Sequence, residues 1–157
     1  MLAQAIRKKL GKAGKEEKGF TLIELLAVIV IIGIIAVIAI PMISNIIGNT
    51  KTNADVATGR QIYDAARLYI INEKNGSFAN ETVTLTNLTG KYLESGIRLP
   101  SSKSTISSVN VKFDTNGVLE YVNITPKPEG STAATSPATG GNYSKDQIMS
   151  AQASPTT

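Results

Sequence analysis

The sequence predicts an α+β protein in which a long N-terminal helix, with a membrane half and an amphipathic half, packs against a small antiparallel sheet. A flexible C-terminal tail is expected to follow the sheet. Three observations predict this fold. No charged residue occurs between residues 25 and 50. Apolar residues recur at helical spacing over residues 46–73, and short alternating runs follow them. A chain of 157 residues has room for one ordinary domain plus an anchor or tail.

The first nineteen residues carry the whole net charge of +4. Residues 1–19 contain six Lys or Arg and two Glu, whereas the rest of the chain contains ten of each sign. A basic charge confined to one end is no evidence for a nucleic-acid surface on the folded body. We therefore interpret residues 1–19 as an N-terminal signal and predict no direct binding of nucleic acid.

The chain has no cysteine and no histidine. This composition excludes disulfide scaffolds, thiolate metal sites, cysteine nucleophiles and histidine acid–base pairs. The acids beyond residue 75 are scattered along the sequence, and residues 114–117 begin like a calcium loop that no acid closes at the required spacing. We expect no catalytic residue, no metal site and no cofactor, so the protein is predicted not to be an enzyme.

Residues 25–43 are apolar apart from Gly33 and Pro41, and with residues 20–23 they reach the ~20 residues that a membrane-spanning helix needs. The preceding cations place the N-terminus in the cytoplasm and the later residues outside. An ordinary anchor fits this pattern. A secretory signal cleaved after residues 37–39 fits it less well, because removable apolar segments usually run ~7–15 residues.

One acid interrupts the start of this segment. A carboxylate at the centre of a membrane helix raises the free energy of insertion by roughly 2.5–3.5 kcal/mol, and by less near an end. The presence of Glu24 in this segment therefore suggests that it has a function. It lies about one helical turn from Phe20, and its charge suits the first turn of a helix.

Residues 18–26 read Lys-Gly-Phe-Thr-Leu-Ile-Glu-Leu-Leu. This stretch, between a basic leader and an apolar helix, resembles the prepilin signal of type IV pilins and of the pseudopilins of type II secretion and competence systems. The resemblance covers residues 12–75 and implies that a prepilin peptidase cuts between Gly19 and Phe20 and methylates the new amino terminus of Phe20. It also implies an assembly charge pair, in which Glu24 neutralises the Phe20 amine of a neighbouring subunit.

Gly33 and Pro41 are predicted weak points of the helix, because proline lacks the N–H that would bond to the Val37 carbonyl. In filaments of the family that this chain resembles, the corresponding stretch is often unwound. We therefore expect residues 33–41 to lose helical hydrogen bonds in a filament but not in the membrane-stored subunit. Continuous helical density there in a filament map would reject this expectation.

Residues 46–73 are predicted to extend the helix, which is expected to run from Phe20 to about Lys74 before the stop signal at Asn75 and Gly76. The face predicted to pack on the head consists of Ile47, Ala54, Ala57, Ile62, Ala66, Tyr69 and Ile70. The charged residues predicted to lie largely off that face are Asp55, Arg60, Asp64, Arg67, Glu73 and Lys74.

The head is predicted to contain about three antiparallel strands. Residues 82–86 alternate polar and apolar, residues 88–93 suggest a short helical turn, and residues 109–113 and 118–124 flank an Asn-Gly turn that is a strong hairpin signal. On the second hairpin strand, alternation places Val118, Glu120, Val122 and Ile124 on one face.

From Pro126 the composition shifts to Pro, Gly, Ser, Thr, Ala and Lys, which predicts a flexible segment. Many members of the family that this chain resembles close the C-terminal part of the head with a disulfide. Without cysteine, that clasp is absent or built from hydrogen bonds. The predicted organisation is a cleaved leader (1–19), a membrane half (20–45), an amphipathic half (46–75), a β head (76–125) and a flexible tail (126–157).

The resemblance implies a structural prepilin that polymerises through its apolar helix into a type IV pilin-like extracellular filament. Implied partners are further copies of the chain, the prepilin peptidase, a pilus or secretion assembly platform, minor pilins and, before assembly, membrane lipid. The chain would be stored in the cytoplasmic membrane and later lie on the cell surface. Two alternatives stay open: a major pseudopilin of a type II secretion or competence (DNA-uptake) system, and a membrane-anchored extracytoplasmic binding module that does not polymerise.

Overall fold

The computed structural model describes residues 19–133 and 140–150, together with residue 4. The elements in chain order are α1 (Leu22–Glu73), β1 (Thr82–Thr84), α2 (Leu85–Leu88), β2 (Ser108–Phe113), β3 (Leu119–Thr125), β4 (Thr132–Ala133), β5 (Gly141–Ser144) and α3 (Lys145–Ser150). The chain divides into two compact units, and the boundary between them along the sequence falls between Ser44 and Asn45. Apart from residues 4 and 19, the predicted leader lies outside the described residues.

The predicted long helix is confirmed as α1, which has 52 residues. It is long and apolar enough to cross a membrane, and its most apolar window has a mean hydropathy of 3.2 with no part of that window buried. The helix ends at the predicted stop signal, where Asn75 and Gly76 adopt φ values of 52° and 76°. The Gly76 N–H donates to the Ile70 carbonyl at 3.0 Å. The same carbonyl also accepts from the Lys74 N–H at 3.0 Å, so two N–H groups converge on it where the helix ends.

The sheet is fully antiparallel and has five strands in the order β1-β2-β3-β5-β4, rather than the expected three. A row of paired side chains crosses four of these strands, and its members are fully buried: Val83, Val111, Val122 and Tyr143. The core that they share includes Ile62, Tyr63, Ala66 and Ile70 of α1. The helix and the sheet thus bury each other's apolar faces.

The predicted hairpin is confirmed between β2 and β3. The Asp114 carboxylate shapes the turn, because its Oδ1 accepts from the backbone N–H groups of Asn116 and Val118, both at 2.8 Å. Gly117 adopts a φ of 76°, and a Cβ built on it would lie 2.9 Å from Cβ of Phe78. Both the backbone angle and the available space therefore require glycine there.

A register shift corrects the predicted faces of β3. The alternation predicted for β2 holds, with Val109, Val111 and Phe113 buried. The pairing then slips, so that Lys112 pairs with Tyr121 but Phe113 pairs with Leu119. An irregularity of this kind places two residues of one strand opposite one of the other. Leu119 is consequently buried and Glu120 is exposed, whereas strict alternation placed Glu120 with Val122.

Residues 88–93 form the predicted turn, in which the Tyr92 N–H donates to the Leu88 carbonyl at 3.0 Å, but the regular helix α2 lies earlier, at Leu85–Leu88. The shift has a local cause at Thr84, the residue before α2. The Asn87 side-chain oxygen accepts from the Thr84 backbone N–H at 3.0 Å and from its hydroxyl at 2.7 Å. This capping arrangement begins the helix earlier than the apolar pattern suggested.

The prediction that residues 126–157 form a flexible tail is wrong for much of that segment. β4, β5 and α3 all lie within it, and Tyr143 and Ile148 are fully buried. Both side chains pack over Gly59 of α1, where a built Cβ would lie 3.0 Å from Ile148 Cδ1 and 3.0 Å from Tyr143 Cδ2. The missing side chain at Gly59 makes room for the two apolar residues that anchor the segment. Residues 134–139 and 151–157 lie outside the described residues.

Hydrogen bonds, rather than a disulfide, hold this C-terminal segment. The buried Asp55 carboxylate accepts from the Glu129 N–H at 2.9 Å, from the Ser101 N–H at 3.0 Å and from the Ser101 hydroxyl at 2.5 Å. The Tyr143 hydroxyl donates to the Glu129 carbonyl at 2.7 Å, and burial raises the pKa of this phenol well above its ordinary value. Asp55 thus joins two distant loops to α1.

The face predicted to pack on the head is correct only in its second half. Ile62, Ala66 and Ile70 are buried, but Ile47 and Ala57 are exposed and Ala54 is half-buried. Asp55, predicted to lie off that face, is fully buried. The sequence pattern merged two helix faces into one, because three-or-four spacing alone cannot separate faces that follow each other along a helix.

Candidate processing and assembly site

The predicted cleavage site immediately precedes α1. Gly19, Phe20 and Thr21 have no regular secondary structure, and the first helical bond runs from the Leu25 N–H to the Thr21 carbonyl at 3.2 Å. Phe20 is 83% exposed. A Cβ built on Gly19 meets no atom within 4 Å. Among the described residues, the peptide bond between Gly19 and Phe20 is therefore accessible, and no contact there requires a glycine at residue 19.

Glu24 closes a capping box with Thr21. The carboxylate oxygen Oε2 accepts from the Thr21 backbone N–H and from the Thr21 hydroxyl, each at 2.8 Å. In return, the Glu24 N–H donates to the Thr21 hydroxyl oxygen at 3.3 Å. This reciprocal arrangement satisfies two N–H groups that a helix start leaves without a partner.

The capping box leaves part of the carboxylate available. A carboxylate has about four acceptor positions, and both bonds from Thr21 end on Oε2. Within the described residues, Oε1 accepts no hydrogen bond. Glu24 is exposed on the chain. Glu24 can therefore cap its own helix through Oε2 while Oε1 remains available to pair with a cation of another molecule.

Thr21 is a site residue that the sequence interpretation missed. Its signal was present, because Thr21-Leu22-Ile23-Glu24 followed by an apolar run is the pattern of a capping box. Glu24 was instead interpreted through its charge, which suits the first turn of a helix and would pair with the Phe20 amine of a neighbouring subunit. That pairing requires a second cleaved chain, so it stays a prediction.

Replacing Thr21 with valine is expected to loosen the first turn of α1 while keeping the charge of Glu24. The substitution removes the hydroxyl that accepts from the Glu24 N–H, and losing a capping threonine costs about 1 kcal/mol. Amide hydrogen exchange in detergent micelles should quicken at Glu24 by roughly fivefold. Thr50→Val is the control, because its hydroxyl donates only to the Ile46 carbonyl farther along the helix. Unchanged exchange at Glu24 would contradict this role of Thr21.

The two predicted weak points lie inside a continuous helix in the single chain. α1 passes through Gly33 and Pro41. A Cβ built on Gly33 meets nothing within 4 Å, so no contact with the part of the chain that the structure describes requires glycine there. The hydroxyl of Ser44 donates to the Ile40 carbonyl at 3.0 Å, which satisfies a polar side chain close to the apolar segment. The expected unwinding in a filament stays a prediction.

Two further kinds of site were considered, a metal site and a ligand cavity. Within the described residues, no three acidic side chains are grouped so that they could hold a metal ion. A cavity of about 140 Å³ lies in the head. Its lining is mainly apolar, contributed by Ile62, Leu93, Ile97, Ile106 and Val109 among others.

Residues 14–40 match the family model described as the prokaryotic N-terminal methylation motif. Searches of curated proteins and of solved structures find no significant match to the chain. The matched segment contains the exposed Gly19–Phe20 bond, the capping box and the first part of α1. Residues 14–40 are thus the N-terminal methylation signal of type IV pilins and pseudopilins, and the long apolar helix packed on a small antiparallel sheet fits the α+β type IV pilin fold.

Proposed function

We propose that this chain is the precursor of a structural subunit of a type IV pilin-like extracellular filament. A prepilin peptidase cuts it between Gly19 and Phe20, and the new amino terminus of Phe20 is methylated. The apolar half of α1 then leaves the membrane and packs with other copies. The observation that carries this proposal is the methylation motif at residues 14–40, which includes the start of a helix whose apolar surface is left open by the described part of the chain.

The exposed apolar surface calls for a partner. Large apolar side chains along residues 22–47 are about half to nine-tenths exposed, as in Leu22 at 89% and Ile47 at 49%. Soluble monomers rarely expose such extensive apolar surface. Lipid covers it before assembly, and in a filament the helices of other copies would replace the lipid.

The charges of the cleaved end explain the need for Glu24. Hydrolysis of the Gly19–Phe20 amide adds water across the bond, releases the basic leader with a carboxylate at Gly19 and leaves an amine on Phe20. The amine nitrogen then attacks the methyl group of a sulfonium methyl donor, which leaves as a thioether, and one N–H proton is lost. The methylated amine is protonated again in water, so it keeps its positive charge. A cation at a helix N-terminus opposes the helix dipole. The free oxygen Oε1 of Glu24 in a neighbouring copy supplies the opposite charge.

The proposed partners follow from this course of events. They are the prepilin peptidase, an assembly platform, minor pilins, membrane lipid before assembly and further copies of the chain after it. The precursor spans the cytoplasmic membrane with residues 1–19 in the cytoplasm, and the assembled subunit lies in a surface filament. Residues 33–41, between Gly33 and Pro41, are the proposed segment that unwinds on assembly.

Two alternatives make different predictions. A major pseudopilin of a type II secretion or competence system would be processed in the same way but would form a filament serving secretion or DNA uptake. A non-polymerising membrane-anchored binding module would stay uncut or, if cut, would remain monomeric. The methylation motif favours the two filament-forming functions over the anchor.

The experiment that separates the two filament-forming functions from the anchor is the intact mass and N-terminal sequence of the protein recovered from its cells. We expect a chain that begins at Phe20 and is heavier by one methyl group. An uncut chain in cells with an active prepilin peptidase would favour the simple anchor. A chain that begins at Ile40 would indicate a secreted soluble domain and would exclude the filament.

A further inference from the structure

The chain contains two Asn-Gly pairs, Asn75-Gly76 after α1 and Asn116-Gly117 in the turn between β2 and β3. An asparagine followed by glycine is prone to spontaneous deamidation, because glycine has no side chain to hinder the attack of its own backbone nitrogen on the asparagine amide. Both asparagines are exposed. Each of the two glycine N–H groups donates one hydrogen bond to a backbone carbonyl at 3.0 Å. That bond therefore does not distinguish the two pairs, and their other surroundings decide which one can react.

The turn that contains Asn116 is held firmly. The backbone N–H groups of Asn116 and Val118, on either side of Gly117, both donate to Asp114 Oδ1 at 2.8 Å. A Cβ built on Gly117 would lie 2.9 Å from Cβ of Phe78, so this glycine has little room to move. Deamidation begins when the glycine nitrogen loses its proton, and the nearby Asp114 carboxylate disfavours a second negative charge. The turn thus opposes both the motion and the deprotonation that the reaction needs.

The surroundings of Asn75 are open by comparison. A Cβ built on Gly76 meets no atom within 4 Å. Within the described residues, the side-chain amide of Asn75 makes no hydrogen bond. The Ile70 carbonyl that accepts from the Gly76 N–H also accepts from the Lys74 N–H, and it belongs to the last turn of α1, where helices fray. The Gly76 nitrogen can therefore be released by local opening at the end of one helix.

We propose that Asn75 is a deamidation site of the folded chain and that Asn116 is protected from the same reaction. The deprotonated Gly76 nitrogen attacks Cγ of Asn75, so that a C–N bond forms, the Cγ–Nδ2 bond breaks and ammonia leaves after taking a proton from water. Water then opens the cyclic succinimide at either carbonyl, which gives aspartate or isoaspartate at residue 75. The reaction consumes only water, and it does not depend on the proposed function.

The product changes the charge and the backbone at the end of α1. A carboxylate at residue 75 opposes the helix dipole, which is negative at a C-terminus. Isoaspartate also routes the backbone through the former side chain and so adds one carbon atom to the chain path. The hydrogen bond from the Gly76 N–H to the Ile70 carbonyl cannot keep its geometry after that insertion. As the protein ages, the head therefore loses one unit of net positive charge, and the last turn of α1 loosens.

Ageing of the full-length chain in detergent micelles, followed by peptide mapping with mass spectrometry, tests the proposal. Asn75 should convert at least fivefold faster than Asn116, which corresponds to about 1 kcal/mol. In denaturant the two sites should convert at the same rate, since both are Asn-Gly pairs. An isoaspartyl methyltransferase with a labelled methyl donor should label the peptide that contains residue 75. Equal rates in the folded chain would overturn the proposal, and so would an Asn75 that stays intact while the denatured chain is converted.

Asp114→Ala is the matched variant, because it removes the acceptor and the charge that hold the hairpin turn. Conversion at Asn116 should rise at least fivefold, while conversion at Asn75 and the circular dichroism spectrum stay as in the wild type. A variant in which Asn116 remains slow would contradict the protection by the turn and overturn that half of the proposal. Asn75→Gly keeps a residue that tolerates the positive φ of 52° and removes the amide. Amide exchange in the last turn of α1 should quicken with age in the wild type but not in this variant, and equal ageing of both would exclude the proposed effect on the helix.

Discussion

Replacing Glu24 with alanine is expected to abolish filament assembly while leaving the chain inserted in the membrane. The substitution removes the carboxylate that would neutralise the Phe20 amine of a neighbour, and an uncompensated cation buried among apolar helices is costly. Insertion should be unaffected or slightly better, since a charged acid is removed from the edge of the apolar segment. Filament yield from sheared cells, compared with the amount of cleaved chain in the membrane, measures the effect. We expect at least a tenfold loss of filament with cleavage retained, because Gly19 and Phe20 are unchanged.

Glu24→Gln separates the two roles of this residue. The amide oxygen of glutamine can still accept from the Thr21 N–H and so keep the helix cap. It has no charge to pair with the Phe20 amine. If the charge pair is what assembly needs, the glutamine variant should fail as the alanine variant does, whereas Thr21→Val should still assemble. Wild-type filament yield from Glu24→Ala would exclude the charge pair as a requirement for assembly, whereas a wild-type chain that gives no filament at all would favour the non-polymerising anchor.

Replacing Asp55 with alanine is expected to destabilise the head by about 3 kcal/mol, because it removes three part-buried hydrogen bonds to a carboxylate, each worth about 1 kcal/mol. The variant deprives the Ser101 N–H, the Ser101 hydroxyl and the Glu129 N–H of their acceptor. A loss of this size corresponds to a decrease in Tm on the order of 10 °C. Thermal unfolding of the full chain in detergent, followed by circular dichroism, measures it.

Asp64→Ala is the matched control on the same helix. Its carboxylate is exposed and meets Arg60 at 4.0 Å, so its loss should change the stability of the head by less than about 0.5 kcal/mol. Asp55→Asn should fall between the two, since its amide keeps one acceptor oxygen but turns an NH₂ group toward the remaining donors. If Asp55→Ala is as stable as Asp64→Ala, then the C-terminal segment does not depend on Asp55.

The candidate site was largely predictable because its signals are local. The methylation motif, the apolar run and the acid at Glu24 all lie within residues 14–40. The hairpin was equally predictable, since Asn116-Gly117 needs only its neighbours to form a turn. Thr21 was also within reach, because a capping box spans four residues. The expectation of a charge pair drew attention to Phe20 instead.

The errors share a different cause. Glu120 was placed on the wrong face because a bulge depends on how two strands pair. The stripe through Ile47 and Ala57 was assigned to the head because spacing alone does not show which side of a helix meets the sheet. The segment after Pro126 was predicted to be flexible because it consists mainly of small and polar residues. Among its described residues, the apolar side chains in the core are those of Tyr143 and Ile148.

The sequence by itself determined the signal, the length of the apolar helix and the hairpin, because each depends on residues a few positions apart. Only the tertiary structure decided that Asp55 is buried, that the C-terminal segment joins the sheet and that Ile47 and Ala57 of α1 are exposed. Asp55 lies 46 residues from Ser101 and 74 from Glu129. Burial at such separations depends on which surfaces come together when the helix and the sheet pack over a common core. Local spacing in the sequence cannot predict these contacts.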